Sequence, residues 1–235
     1  MRGARWLVVG VMSCQEGRSH MRRLDVLLGV GALVAAAFGV VPAFAADGTT
    51  ICNGTLAPGT YQQVVVPQDG TCLSDGPVTI RGGLFVQRGG TLVFGSEETP
   101  VNTATISGGV HATNAMNMQI HFSTINGGID VHGGSGPFGG PFDVTWNTIE
   151  DSTVNGGYTE TGYDGFWNGF IRNTVQGSVN LIGNTVADPD GNEVVTNTIH
   201  GSLNCVGNDP APQVGDSEGS PNLVTGRETG QCVGL

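Results

Sequence analysis

Six times along the chain a short phrase returns: Thr-(Ile/Val)-x-Gly-(Gly/Ser), followed by an aliphatic or aromatic residue. It begins at Thr79, Thr105, Thr124, Thr153, Thr174 and Thr198, and a degraded copy, Leu223-Val224-Thr225-Gly226, closes the series. The central aliphatics are Ile80, Ile106, Ile125, Val154, Val175, Ile199 and Val224, separated by 26, 19, 29, 21, 24 and 25 residues. A glycine-punctuated, β-rich repeat in the low twenties is the mark of a solenoid, whose units bury their apolar faces only by stacking on one another.

Within a copy the residues alternate. In Ile129-Asp130-Val131-His132 the aliphatics point one way and the polar residues the other, as on a half-buried strand. The Gly pair before Ile129 is expected to make a tight bend with positive φ. A coil is therefore short strands joined by corners. About seven coils, each ~4.8 Å thick, make a rod roughly 34 Å long, with Ile, Val and Leu in internal ladders. Asn is the second recurring mark, in Asn147-Thr148-Ile149, Asn173-Thr174-Val175, Asn184-Thr185-Val186 and Asn197-Thr198-Ile199, with Ser123 in the same place before Thr124. These are expected at one corner of successive coils, stacked as an amide ladder. Such an array also offers spaced amides and hydroxyls to a sugar. The irregular steps argue against an ice-binding plane.

The ends carry different signals. Met21-Arg22-Arg23, the uncharged run Val26 to Val41 and Ala43-Phe44-Ala45 read as a signal peptide over 21–45, cleaved near Ala45-Ala46. Residues 1–20 have no place in it and read as a dispensable extension, with Met21 as the start. The apolar run is shorter than a bilayer needs, so no membrane association is expected of the mature form. Residues 46–235 carry no Lys, four Arg and 18 acidic residues, a net charge of −14. That balance excludes nucleic acid and anionic lipid as partners, since both require clustered cations. Four cysteines remain in this segment, an even number that suits disulfides in an exported protein. The favoured pairing of the three possible is Cys52–Cys72 with Cys205–Cys232, because each pair brackets one end of the array, where a coil has a single neighbour.

The coils, the signal peptide and the closing Cys205…Gly230-Gln231-Cys232 resemble secreted bacterial right-handed parallel β-helix proteins, related in architecture to pectate lyases and polygalacturonases. The resemblance covers about residues 75–230. It implies an all-β, single-stranded right-handed parallel β-helix with disulfide-stapled ends, a cap region over 46–74 and a tail at 231–235. It implies no particular activity, because that fold hosts lyases, hydrolases, adhesins and proteins of other roles.

The segment where chemistry could lie is 138–170; the favoured alternative is that its aromatics fold onto the rod as a local satellite core, since buried aromatics are the usual outcome. Eight of the twelve aromatics after residue 45 lie there, and Gly133–Pro141 is inserted in the longest step. Trp146, Tyr158, Tyr163 and Trp167 are the candidates for stacking on sugar rings. Asp143, Glu150, Asp151, Glu160 and Asp164 supply carboxylates, two of which, about 5–9 Å apart across a sugar, suffice for glycoside hydrolysis. Arg172 is the nearby cation. The polygalacturonase pattern is absent: there is no Asn-Thr-Asp, no Asp-Asp and no Gly-His-Gly. Asp188, Asp190 and Asn192 resemble half of a Ca²⁺ loop, but a plain turn between coils is the favoured reading and no metal is expected there. His111, His121, His132 and His200 are scattered with no metal-ligand spacing, and no cofactor is expected. Two functions follow as expectations: a non-catalytic extracellular or envelope binding protein, with polysaccharide or cell-envelope glycan as partner; or a polysaccharide-acting hydrolase or lyase with a cleft at 138–170. They part on whether two acids, or an acid and Arg172, converge beside exposed aromatics.

Overall fold

The computed structural model describes residues 48–215 and 219–235; the signal-peptide segment and the extension before it lie outside the described residues. Up to its last coil the chain visits three faces in rotation. Thr49–Ile51 enters the first sheet, Gly54–Leu56 the second and Gly59–Tyr61 the third, after which Gln63–Val66 returns to pair with Thr49–Ile51. Repeating this order builds a nine-stranded, a seven-stranded and an eight-stranded sheet, with every pairing parallel. A two-stranded sheet, Asp164–Gly165 with Thr185–Val186, adds a fourth facet to two coils. The fold is thus a parallel β-solenoid.

The repeated phrase marks the eight-stranded sheet. Tyr61, Ile80, Ile106, Ile125, Val154, Val175, Ile199 and Val224 stand in register, one per rung. All from Ile80 to Ile199 are sealed from solvent. The uneven steps do not disturb this ladder, because the extra residues leave at other corners. Residues 95–103 bulge out between the second and third faces, and 133–145 between the first and second. The threonines before the aliphatics, Thr60 through Thr198, form an equally regular outward column. An irregular step therefore says nothing against a regular face.

Two details differ from the sequence expectation. The first Gly of each phrase is needed for close stacking and not for positive φ. A Cβ on Gly108 would lie 2.6 Å from the Gly82 backbone, and one on Gly156 2.6 Å from Gly127. Among the described residues the coils are also already present from Thr49, ahead of residue 75. The expected cap at 46–74 is itself coiled, and the phrase is invisible there because Tyr61 takes the aliphatic's place. The nine-stranded sheet accordingly has two rungs before the seven that follow the phrase copies. At the other end, residues 231–235 fold back. Cys232 is buried and Leu235 packs against the core.

Cys52–Cys72 and Cys205–Cys232 lie at disulfide distance, each with Cα atoms 5.3 Å apart, across the first and the last stacked coils. Closing loops of this size is worth about 3 kcal/mol in the chain-entropy picture. The pairing suits an oxidising compartment. Among the described residues no helix is long and apolar enough to cross a membrane.

The asparagines divide among three places. Ser123, Ser152, Asn173, Asn197 and Asn222 form one corner ladder, each accepting from the backbone N–H of the one before at 2.8–3.1 Å. Asn184 and Asn208 occupy another corner, continued by Gln231. Asn147 is in neither: it lies inside strand Trp146–Glu150, in register with Met118. The Asn-Thr-Ile spelling is shared, but this copy stands five residues before the corner residue Ser152, as Asn168 stands before Asn173, and so falls on the second face.

Candidate functional site

Strands Trp146–Glu150 and Trp167–Ile171 are neighbours in the seven-stranded sheet, paired residue for residue. Asn147, Ile149, Asn168 and Phe170 point inward. Trp146 and Trp167 therefore stand side by side on the outer face, both half-buried. Gly169 is what lets the Trp167 ring lie down, for a Cβ there would collide with the indole. Phe142, at the end of the short 3-10 turn Gly140–Phe142, stacks on Trp146 with centroids 5.2 Å apart. Phe138, 65% exposed, meets Phe166 at 5.9 Å. The insertion thus brings an aromatic wall to the start of these strands.

Tyr158 and Tyr163 do not belong to that wall. Tyr158 is 0% exposed, its ring stacked on Phe170 at 4.5 Å inside the solenoid. Tyr163 is buried and donates to the Trp167 carbonyl. Neither has a face to give to a ligand, and burial pushes both hydroxyls up in pKa.

The acids are dispersed. Asp143 and Asp164 are exposed, Asp143 in the left-handed region at φ 65°. Glu160 is sealed in the interior, in register with Val131 and Leu181. Its carboxylate accepts from the amides of Asn147, Asn168 (2.7 Å) and Asn184 (3.0 Å). Burial pushes Glu160 up to about 7 against the pull of hydrogen bonds from Asn147, Asn168 and Tyr158. A raised carboxyl is what a general acid requires, yet no sugar reaches this one.

Glu150, Asp151 and Arg172 do converge, at the far end of the same strands, about 13 Å from the tryptophans at 3.3 Å per residue. Arg172 donates to both Asp151 oxygens (2.7 and 2.8 Å), to Glu150 Oε2 (2.9 Å) and to Glu97 Oε1 (3.2 Å) from the 95–103 bulge. The hydrogen bonds with Asp151 raise its already high pKa, so it stays a cation and takes no proton. Phe122, Asp151, Arg172 and Thr196 hold positive φ of 49–59° at this corner, an uncommon conformation for residues other than Gly. His121, in register with Glu150, is buried beside them, its Nδ1 3.9 Å from Glu150 Oε2. Burial lowers its pKa, opposed by Glu150, Asp151 and Glu97.

The histidines, scattered in sequence, are thus not all scattered in space. The signal was available: His121 and Glu150 differ by 29 residues and Asp151 and Arg172 by 21, each the local coil step. The Ca²⁺-like segment is dispersed instead. Asn192 is buried, donating to the Pro210 carbonyl, while the Asp188 carboxylate accepts from the Asp190 backbone in a turn. Sequence reading also missed an open groove of about 440 Å³ on the nine-stranded sheet, lined by Val65, Phe85, Arg88 and His111 among others. Phe85 stacks on His111 there at 5.2 Å. Comparison with family models, with curated proteins and with solved structures returned no match to this chain.

Proposed function

We propose that this protein is an exported, right-handed β-solenoid that works by binding, with an extracellular or cell-envelope glycan as its ligand, and not by catalysis. Right-handed winding follows from the strong bias of parallel crossovers. Export accords with the stapled ends and with the signal-peptide pattern in the sequence. The observation that carries the binding reading is the in-register pair Trp146–Trp167 on the outer face, extended by Phe142, Phe138 and Phe166. Flat aromatic faces at one-rung spacing suit the apolar faces of successive sugar rings. Against hydrolysis or elimination stands the placement of the charged groups. Glu160 is sealed, and Glu150 and Asp151 are tied to Arg172 at the opposite end of the strands from the wall.

The test is a glycan-array screen with the purified protein, scoring both retention and released sugar. Retention on one polysaccharide class, cut at least tenfold by Trp146→Ala or Trp167→Ala while the thermal midpoint stays within a few degrees, is the expected result. Released oligosaccharide would transfer the assignment to a polysaccharide-acting enzyme. Silence across a broad array would remove the glycan from the proposal.

A further inference from the structure

We propose that His121, Glu150 and Asp151 form a binding site for a first-row divalent cation such as Zn²⁺. One donor atom from each lies within 4.8 Å of the others. Bonds of about 2.0–2.2 Å place neighbouring donors roughly 3–4 Å apart, so closure needs a movement of about 1 Å. Acidic groups alone would not make the case, since exposed carboxylates gather on many proteins. The independent observation is His121. Its side chain is 7% exposed, and its buried Nδ1 has no hydrogen-bond partner, although it is directed at the Glu150 carboxylate. A buried polar atom left unpaired is destabilising, and a coordinated ion removes that penalty.

The charge balance points the same way. Glu97, Glu150 and Asp151 surround one guanidinium, which leaves two negative charges, the amount a divalent ion neutralises. Arg172 does not exclude the ion. Each carboxylate oxygen has two lone pairs, of which the guanidinium takes one, and carboxylate ligands in metal sites are commonly held by such outer partners. Thr148 Oγ1 holds Glu150 Oε1 in the same manner at 2.6 Å. The imidazole selects the metal class: Ca²⁺ and Mg²⁺ take oxygen donors, whereas mixed nitrogen and carboxylate sets suit Zn²⁺ and its neighbours. This site is independent of the glycan reading and lies on a different part of the strands.

Calorimetric titration of the metal-stripped protein with Zn²⁺ tests it. One saturable site per chain is expected, weakened at least tenfold by His121→Gln and by Asp151→Asn, with an equal concentration of Ca²⁺ failing to displace the ion. His111 and Asp130 lie 3.5 Å apart on the surface and are the obvious adventitious binder; His111→Gln is therefore expected to change nothing. Circular dichroism in chelator verifies that each variant is folded, and Asp151→Asn, partly exposed, serves if His121→Gln is not. Absence of saturable binding, loss through His111→Gln, or indifference to both site substitutions would overturn the proposal.

Discussion

The rungs before and after the 133–145 insertion share one backbone and have different interiors. Before it, the inward columns are aliphatic: Leu84, Val110 and Ile129 in one, Val86, Ala112 and Val131 in the next, and Leu92 with Met118 facing them. In the first coil after it the same columns read Tyr158 and Glu160 before returning to Val179 and Leu181, and the facing column runs Asn147, Asn168, Asn192. Parallel ladders are held by backbone hydrogen bonds, so the stack tolerates either filling. What differs is how each filling depends on its neighbours. An aliphatic rung loses what its own removed volume is worth. A buried carboxyl survives only while amides face it, and any change to it or to them leaves a polar group unpaired. The first interior is additive and indifferent to pH; the second is coupled and titratable.

The largest expected effect probes the additive side. Ile125→Ala removes a fully buried rung of the aliphatic ladder and should cost about 3–4 kcal/mol, the range for Ile→Ala in a core that cannot collapse. Urea unfolding read by circular dichroism measures it, and the loss should be the same at mildly acid and neutral pH. A loss that varied with pH would mean that the two interiors communicate.

Next in size is the titration of the coupled side. Glu160 is held at about 7 against 4.5 for a free carboxyl. Between those values the folded chain keeps a proton that the unfolded chain releases. The associated stability is therefore fully present below about pH 4.5 and is lost as pH rises through about 7. The shift corresponds to a loss on the order of 3 kcal/mol. Glu160→Gln keeps the shape and removes the proton, so the difference between the two stability profiles should show this slope and little else. Parallel profiles would place the burial cost of Glu160 elsewhere.

How much of this was legible follows from where each signal lives. The aliphatic ladder, the parallel stacking and the cysteine pairing repeat, or bracket the repeat, and could be read directly. Glu160 could have been found. Aligning Gly157-Tyr158-Thr159-Glu160 on Gly128-Ile129-Asp130-Val131 puts it at an inward position, whereas composition alone groups it with the candidate catalytic acids of the 138–170 segment. So could Asn147: it stands five residues before Ser152 of the corner ladder, as Asn168 stands before Asn173 and Asn192 before Asn197, but its Asn-Thr-Ile spelling matches the corner copies and hides that phase. Tyr158 and Trp167 illustrate the same limit. Composition placed both in one aromatic segment, while strand phase sent one inward and the other out. The His121 cluster needed the coil steps applied to residues outside the repeated phrase.

The smallest effect tests the edge of the coupled interior. Asn192 is the last amide of the inward run. Its Oδ1 accepts from Asn168 at 3.2 Å and its amide donates to the Pro210 carbonyl at 2.7 Å. Asn168 also donates to Glu160 at 2.7 Å, so it keeps a partner when Asn192 is removed, and the half-buried Pro210 carbonyl is reachable by water. Asn192→Ala should therefore cost only about 1 kcal/mol, one net hydrogen bond, and leave the pH slope of Glu160 intact. A loss rivalling that of Ile125→Ala, or a flattened slope, would show that the amides from Asn147 to Asn192 act as one unit. Coupling would then extend along the stack through the interior, and not stop at the groups that touch the carboxyl.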